Sequence, residues 1–253
     1  MSTTAQTVGR VVSGLFRSLA QLARTLADSF DTVVDFAAVR VFGLPFIVLG
    51  YRGTGKPTLI ARLRKNLAAL EGWDPDPTAA GGDPVRAFSA AVGADGAGVK
   101  LKPRRDVGGE YAMWETDWIA LFREAKPRGI IFLIDHTNPY QHKDALNFVL
   151  QMLDEEAAVR RPHKAFLLLV NKADLWQEEI ALDALLEEYR NEIRRLKSQS
   201  ERLGYECLVR QSSLLTGEGI DEALVAFFDA VRPRSQQEED AEPPARANGR
   251  QRR

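Results

Sequence analysis

Three short, unbroken apolar runs constrain this chain more than any other feature. Pro45–Leu49, Gly129–Asp135 and Ala165–Val170 are too short for typical helices, and they lack the alternation of a half-buried strand. A strand that is apolar throughout needs apolar cover on both faces, which is the condition inside a parallel sheet. Each run is followed by helical period, over residues 58–70, 143–158 and 178–203, and a fourth strand at 206–213 precedes a helix at 218–231. Strand and helix in alternation predict an α/β domain, with a mostly parallel central sheet and helices on both faces.

With 253 residues the chain has room for one such domain and for extensions. The expected organisation is an N-terminal amphipathic helical extension over 1–42, the α/β domain over 43–232, and a disordered charged tail over 233–253. In residues 5–38, Val8, Val12, Leu15, Leu19, Leu22 and Leu26 recur at spacings of four and three, and Phe30 and Val33 continue the stripe. Arg10, Arg17 and Arg24 lie on the polar side. Three readings of this helix stand open: packing on the domain or on a partner helix, attachment to an anionic membrane surface, and an organellar transit segment. No apolar run is long enough to span a bilayer, since Val33–Gly50 is broken by Asp35, Arg40 and Pro45. Ser2 follows Met1, so the glycine required for myristoylation is missing. A net charge of -1 gives no general drive toward nucleic acid, and no nucleic-acid partner is expected. Cys207 is the only cysteine, which excludes an internal disulfide and reads as a core residue. Together these features predict a cytoplasmic protein, peripheral to a membrane if the N-terminal stripe meets one.

The loops after the strands carry the chemistry. Gly50-Tyr-Arg-Gly-Thr-Gly55-Lys56 lies between a strand and a helix, where glycines allow backbone N–H groups to wrap phosphates and Lys56 to reach the outer ones. The candidate binding residues here are Gly50, Arg52, Gly53, Thr54, Gly55, Lys56, Pro57 and Thr58, with Arg52 read as mainly solvated. Asp106-Val-Gly-Gly109-Glu110 supplies an aspartate able to hold magnesium through water and, in Gly109, an N–H for a γ-phosphate. Asn171-Lys172-Ala-Asp174 follows an apolar strand, and the carboxylate of Asp174 can accept from both guanine donors, N1–H and the exocyclic amine. Adenine offers no such pair. Lys172 is expected along the base, and Asn171 between neighbouring loops. Ser213, Leu214 and Leu215 open the last motif, whose backbone N–H groups can donate to the guanine carbonyl oxygen.

Taken in this order the motifs resemble those of the Ras-superfamily GTPases, and within them the Arf-like branch and the beta subunit of the signal-recognition-particle receptor. The resemblance covers roughly residues 45–231. It rests on Asp106-Val-Gly-Gly, Trp118 with Phe122, Gly129–Asp135 and Asn171-Lys-Ala-Asp-Leu175. It implies a three-layer P-loop GTPase domain that binds GTP or GDP with Mg2+, and acts as a switch on effector and regulatory proteins the sequence does not identify. It also places Thr78, after Pro77, in the first switch, where it would complete the magnesium shell with Asp106 and sense the γ-phosphate.

Two positions depart from the family pattern. Pro57 follows the loop lysine where the family has the serine or threonine that ligates magnesium, and Thr58 stands one residue out of register. Glu110 occupies the position of the family's water-orienting glutamine, and a carboxylate beside a γ-phosphate is expected to slow hydrolysis. Glu110 and Thr78 are the candidate catalytic residues. The sequence therefore supports a GTP/GDP switch with slow hydrolysis, and as its alternative a guanine-nucleotide-binding scaffold with little or no turnover. The segment Lys100–Arg105 before Asp106 is too polar for a long buried strand, and is expected to be short or exposed.

Overall fold

The computed structural model describes residues 43–64, 83–86, 88–91, 98–157 and 163–232. Thr78, the expected helix over 5–38 and the expected tail over 233–253 lie outside these residues. In chain order the elements are β1 (Leu44–Gly50), α1 (Lys56–Leu63), β2 (Asp83–Val85), β3 (Phe88–Ala91), β4 (Gly98–Lys102) and β5 (Arg104–Asp106). A composite helix follows, made of α2 (Tyr111–Met113), a π turn (Trp114–Trp118) and α3 (Ile119–Ala125). Then come β6 (Gly129–Ile134), α4 (Pro139–Ala157), β7 (Ala165–Val170), α5 (Ala173–Trp176), α6 (Leu182–Glu187), α7 (Arg190–Leu203), β8 (Glu206–Gln211) and α8 (Ile220–Val231).

Six strands form one sheet in the order β3-β4-β1-β6-β7-β8, and β2 and β5 form a separate antiparallel pair. β4, β1, β6, β7 and β8 run parallel, while β3 joins β4 antiparallel at the edge. The continuous apolar runs are the inner strands, for the reason the sequence suggested: β6 and β7 are buried at every position. Side chains alternate between two cores. Ile47, Leu49, Ile130, Phe132, Ile134, Phe166, Leu168 and Val170 pack with Trp118, Leu146, Leu150 and Leu196 from the composite helix, α4 and α7. On the other face Phe46 meets Phe227 and Phe228 of α8 edge-on, with ring centroids 6.4 and 5.3 Å apart. Gly129 makes the approach of α8 possible, since a Cβ there would lie 2.5 Å from the Phe227 ring.

The fold departs from the sequence expectation at three places and refines it at a fourth, the short segment before Asp106. The helix expected over 178–203 is divided: α6 ends before Tyr189, which is 1% exposed and brings its hydroxyl within 3.2 Å of His142 Nδ1, and α7 starts beyond it. Burying that ring under α4 turns the chain, a tertiary effect that local periodicity does not carry. The polar segment before Asp106 is two strands. Pro103 lacks the N–H a ladder requires, so β4 meets β1 only at Leu44↔Leu101 and Pro45↔Lys102, and the chain leaves as β5 to pair with β2. The strand expected at Val85–Val92 is likewise two pieces, β2 and β3, separated around Arg86. Finally, the composite helix after Glu110 was not assigned from sequence. Helix boundaries elsewhere differ by a few residues, α4 beginning at Pro139 and α1 at Lys56, and β8 stops at Gln211.

Candidate functional site

The chain leaves β1 toward β4 and returns to β6 on the other side of β1, so the strand order reverses at β1. In open parallel sheets the crevice at the carboxyl ends of the strands beside such a point is where ligands bind. The described candidate residues lie in the segments that follow β1, β5, β7 and β8 or at the element ends that flank them.

The loop after β1 needs its glycines. Gly50, Gly53 and Gly55 have φ of 149, 78 and 97°, a region other residues rarely enter. Around Gly53 nothing lies within 4 Å of a Cβ position, whereas at Gly55 a Cβ would meet Asn171 Nδ2 at 2.6 Å. Thr54 is fully buried and its hydroxyl donates to the Tyr51 carbonyl at 2.8 Å. Lys56, 4% exposed, folds back over the loop and donates to the carbonyls of Gly50 and Tyr51 at 3.0 and 3.2 Å. The backbone N–H groups of Arg52, Gly53 and Gly55 have no acceptor among the described residues. Successive unpaired N–H groups above a buried lysine fit an anion such as a phosphate. The fit for magnesium is poorer. Pro57 stands in the first turn of α1 and presents no hydroxyl, and Thr58 follows it along the helix. Asp106 ends β5, opposite Asp83 in the two-stranded pair.

Gly109 lies directly against this loop. A Cβ there would be 2.5 Å from the backbone of Gly50, Tyr51 and Arg52, so no side chain fits without moving the main chain. The turn is held from behind by two indoles. Trp118 Nε1 donates to the Gly108 carbonyl at 2.8 Å and Trp114 Nε1 to the Gly109 carbonyl at 3.1 Å, and the two rings stack with centroids 5.4 Å apart. Beside Gly109, Glu110 pairs with Arg52 at 3.0 Å across the gap between the two loops, with both side chains about half exposed. Arg52, expected to be mainly solvated, is thus both solvated and ion-paired, a contact between residues 58 positions apart.

At the other end Asn171 joins three loops. Its Nδ2 donates to the Thr54 carbonyl at 2.9 Å, its Oδ1 accepts from Leu214 N–H at 3.0 Å, and its own carbonyl accepts from Trp176 Nε1 at 3.0 Å. Lys172 has φ of 60°, and its Nζ lies 2.6 Å from Asp135 Oδ2. Burial opposes ionisation of Asp135, yet Lys172 and two hydrogen bonds from Thr137 outweigh it and hold the carboxyl below the ordinary value. Asp174, in α5, is half-buried and three residues beyond Asn171. Ser213 is fully buried and Leu214 is 2% exposed, while Leu215 is 71% exposed. The N–H groups of Ser213 and Leu214 are used inside the protein, by the Glu218 carbonyl and Asn171 Oδ1, so neither is free for a base.

Sequence reasoning missed several contributors. Asp135 ends an apolar run, and a carboxylate in that place was the available signal. His142, whose Nδ1 lies 3.1 Å from the Asp135 carbonyl, and the donor Trp114 give no signal without the fold, while Trp118 was noted for the resemblance but not for its bond to Gly108.

No protein-family model matches the chain, and no curated protein does. Solved structures do match. The Arl6 BBS3 small GTPase of Trypanosoma brucei, with a bound nucleotide analogue GppNp, covers 76% of this chain and 99% of its own at 18% identity and a TM-score of 0.50. The mammalian SRP receptor covers 72% of this chain and 98% of its own at 16% identity, also with a TM-score of 0.50. The fold is that of the small GTPases. Within the small-GTPase fold this chain carries Pro57 after its loop lysine and an Arg52–Glu110 pair between the loops.

Proposed function

We propose that this chain binds a guanine nucleotide and acts as a GTP/GDP switch with slow intrinsic hydrolysis. The observation that carries this reading is the Asn171 side chain, which fixes the phosphate-type loop at Thr54 and the base-side loop at Leu214 in one crevice, beside Lys172 and Asp174. The unpaired N–H groups of the loop suit phosphates, and Asp174 suits the two donors of guanine. The Arl6 structure, of the same fold, holds a nucleotide analogue.

In this reading the segments around Thr78 and after Gly109 are the switch elements, arranged differently with GTP and with GDP. Asp106 and Thr78 would hold a magnesium ion, without the hydroxyl ligand that Pro57 replaces. Magnesium chemistry, when the ion is bound, neutralises phosphate charge. Glu110 beside Arg52 specifically favours a second reading, a guanine-nucleotide scaffold with little turnover, because a paired carboxylate does not orient water as an amide does.

Isothermal titration with GDP, GTP and ATP, with and without magnesium, followed by phosphate release, tests these readings. Binding selective for guanine with measurable release supports the switch, and Asp174→Asn should then weaken GDP by about a hundredfold. Guanine binding without release, and indifferent to magnesium, supports the scaffold. Equal affinity for ATP and GTP rejects both.

A further inference from the structure

We infer that Arg62, on the last turn of α1, is a positioning residue that aims one backbone donor of the base-side loop into the crevice. The inference rests on the guanine reading of the site and adds to it the residue that sets how the loop presents itself.

The loop can be accounted for donor by donor. Ser213 N–H donates to the Glu218 carbonyl at 2.9 Å, and Gly217 N–H to the Ser213 carbonyl at 2.8 Å. Leu214 N–H donates to Asn171 Oδ1 at 3.0 Å, Thr216 N–H to Ser213 Oγ at 3.0 Å, and Glu218 N–H to Thr216 Oγ1 at 3.3 Å. Among the described residues only the N–H of Leu215 finds no acceptor in this stretch, and Leu215 is 71% exposed.

Arg62 determines where that N–H points. Its Nε donates to the Leu214 carbonyl and its Nη2 to the Leu215 carbonyl. A trans peptide is planar with its C=O and N–H on opposite sides. The Leu214 carbonyl and the Leu215 N–H belong to one peptide unit, so holding the carbonyl against α1 turns the N–H away from it. The second bond fixes the next unit, whose N–H is the one already spent on Ser213. Two successive planes are thereby set by one rigid guanidinium fork, which an ammonium group cannot reproduce. Gly217, at φ 95°, leaves the space the fork needs: a Cβ there would lie 3.1 Å from Arg62 Nη1. A base with an exocyclic oxygen acceptor suits the donor so presented, and a base with an amine in that place does not.

The test compares GDP with 2-aminoadenosine diphosphate, which carries an amine where guanine has its oxygen, measured by competition on the full chain. Arg62→Ala should weaken GDP about tenfold and leave the amino analogue unchanged, narrowing the discrimination by the same factor. Arg62→Lys should give the same direction with a smaller loss. Equal losses on both ligands, or none on either, would overturn the assignment. If the unmodified chain binds no GDP, the guanine reading fails on its own. Amide hydrogen exchange without nucleotide then decides the positioning role: protection at Thr216 and Gly217 should fall in Arg62→Ala, and unchanged protection rejects it.

Discussion

Glu110 and Arg52 set the charge where the two phosphate-facing loops meet. Each was legible alone, the carboxylate as a substitution at a glutamine position and the arginine as an unusual member of a glycine loop. Their pairing was not, because proximity across 58 positions is a property of the fold. The same holds for Lys172, whose motif was readable while its partner Asp135 was not. The loop-tying role of Asn171 was legible, since hydrogen-bonding capacity follows from residue type, and the same reasoning proposes Asp174 as the reader of the base. On the proposed function, Glu110→Gln removes a negative charge from where a γ-phosphate would lie and releases Arg52 from its pair. Turnover should rise by about tenfold in single-turnover phosphate release, and an unchanged rate would show that the side chain takes no part in hydrolysis.

Among the elements, those covered on both faces were easiest to read. β6 and β7 are continuous apolar runs because neither side of them meets water. Elements whose course depends on one buried side chain were misread, as with Tyr189 between α6 and α7. The composite helix is a related case. Its π turn widens the spacing, so that Trp114 and Trp118 both direct their N–H groups at the turn of Gly108 and Gly109. Trp118→Phe keeps much of the ring packing but leaves the buried Gly108 carbonyl without its donor. It should lower stability by about 1 to 3 kcal/mol in urea unfolding. A variant as stable as the parent would mean that another donor replaces the indole.

For the whole molecule, stability should depend on acidity through buried groups both at the crevice and away from it. His163, just ahead of β7, stacks on Tyr205 with ring centroids 4.1 Å apart, and its Nε2 has no partner among the described residues. Burial pushes its pKa down to about 4, from 6.5. The unfolded chain therefore binds this proton between those values and the folded chain does not. The contribution is complete above pH 6.5 and is lost as pH falls through 4, a change of about 3 kcal/mol. Buried His142 and Asp135, both with lowered values, act in the same direction. Unfolding midpoints across this range should fall with pH, and His163→Phe should flatten the slope. An equal slope in that variant would place the titration elsewhere.

The two ends of the crevice are held by different kinds of bond. Asn171 closes the end beside Lys172 and Asp174 through buried, uncharged amide contacts, whereas Arg52 and Glu110 close the other through an ion pair in water. Dissolved ions screen exposed charges over about 8 Å at physiological ionic strength and leave buried amide bonds nearly untouched. Rising ionic strength therefore slackens one end alone. On the proposed function, the half held by Asn171 would stay assembled as a foothold for the base while the half meant for the phosphates loosens.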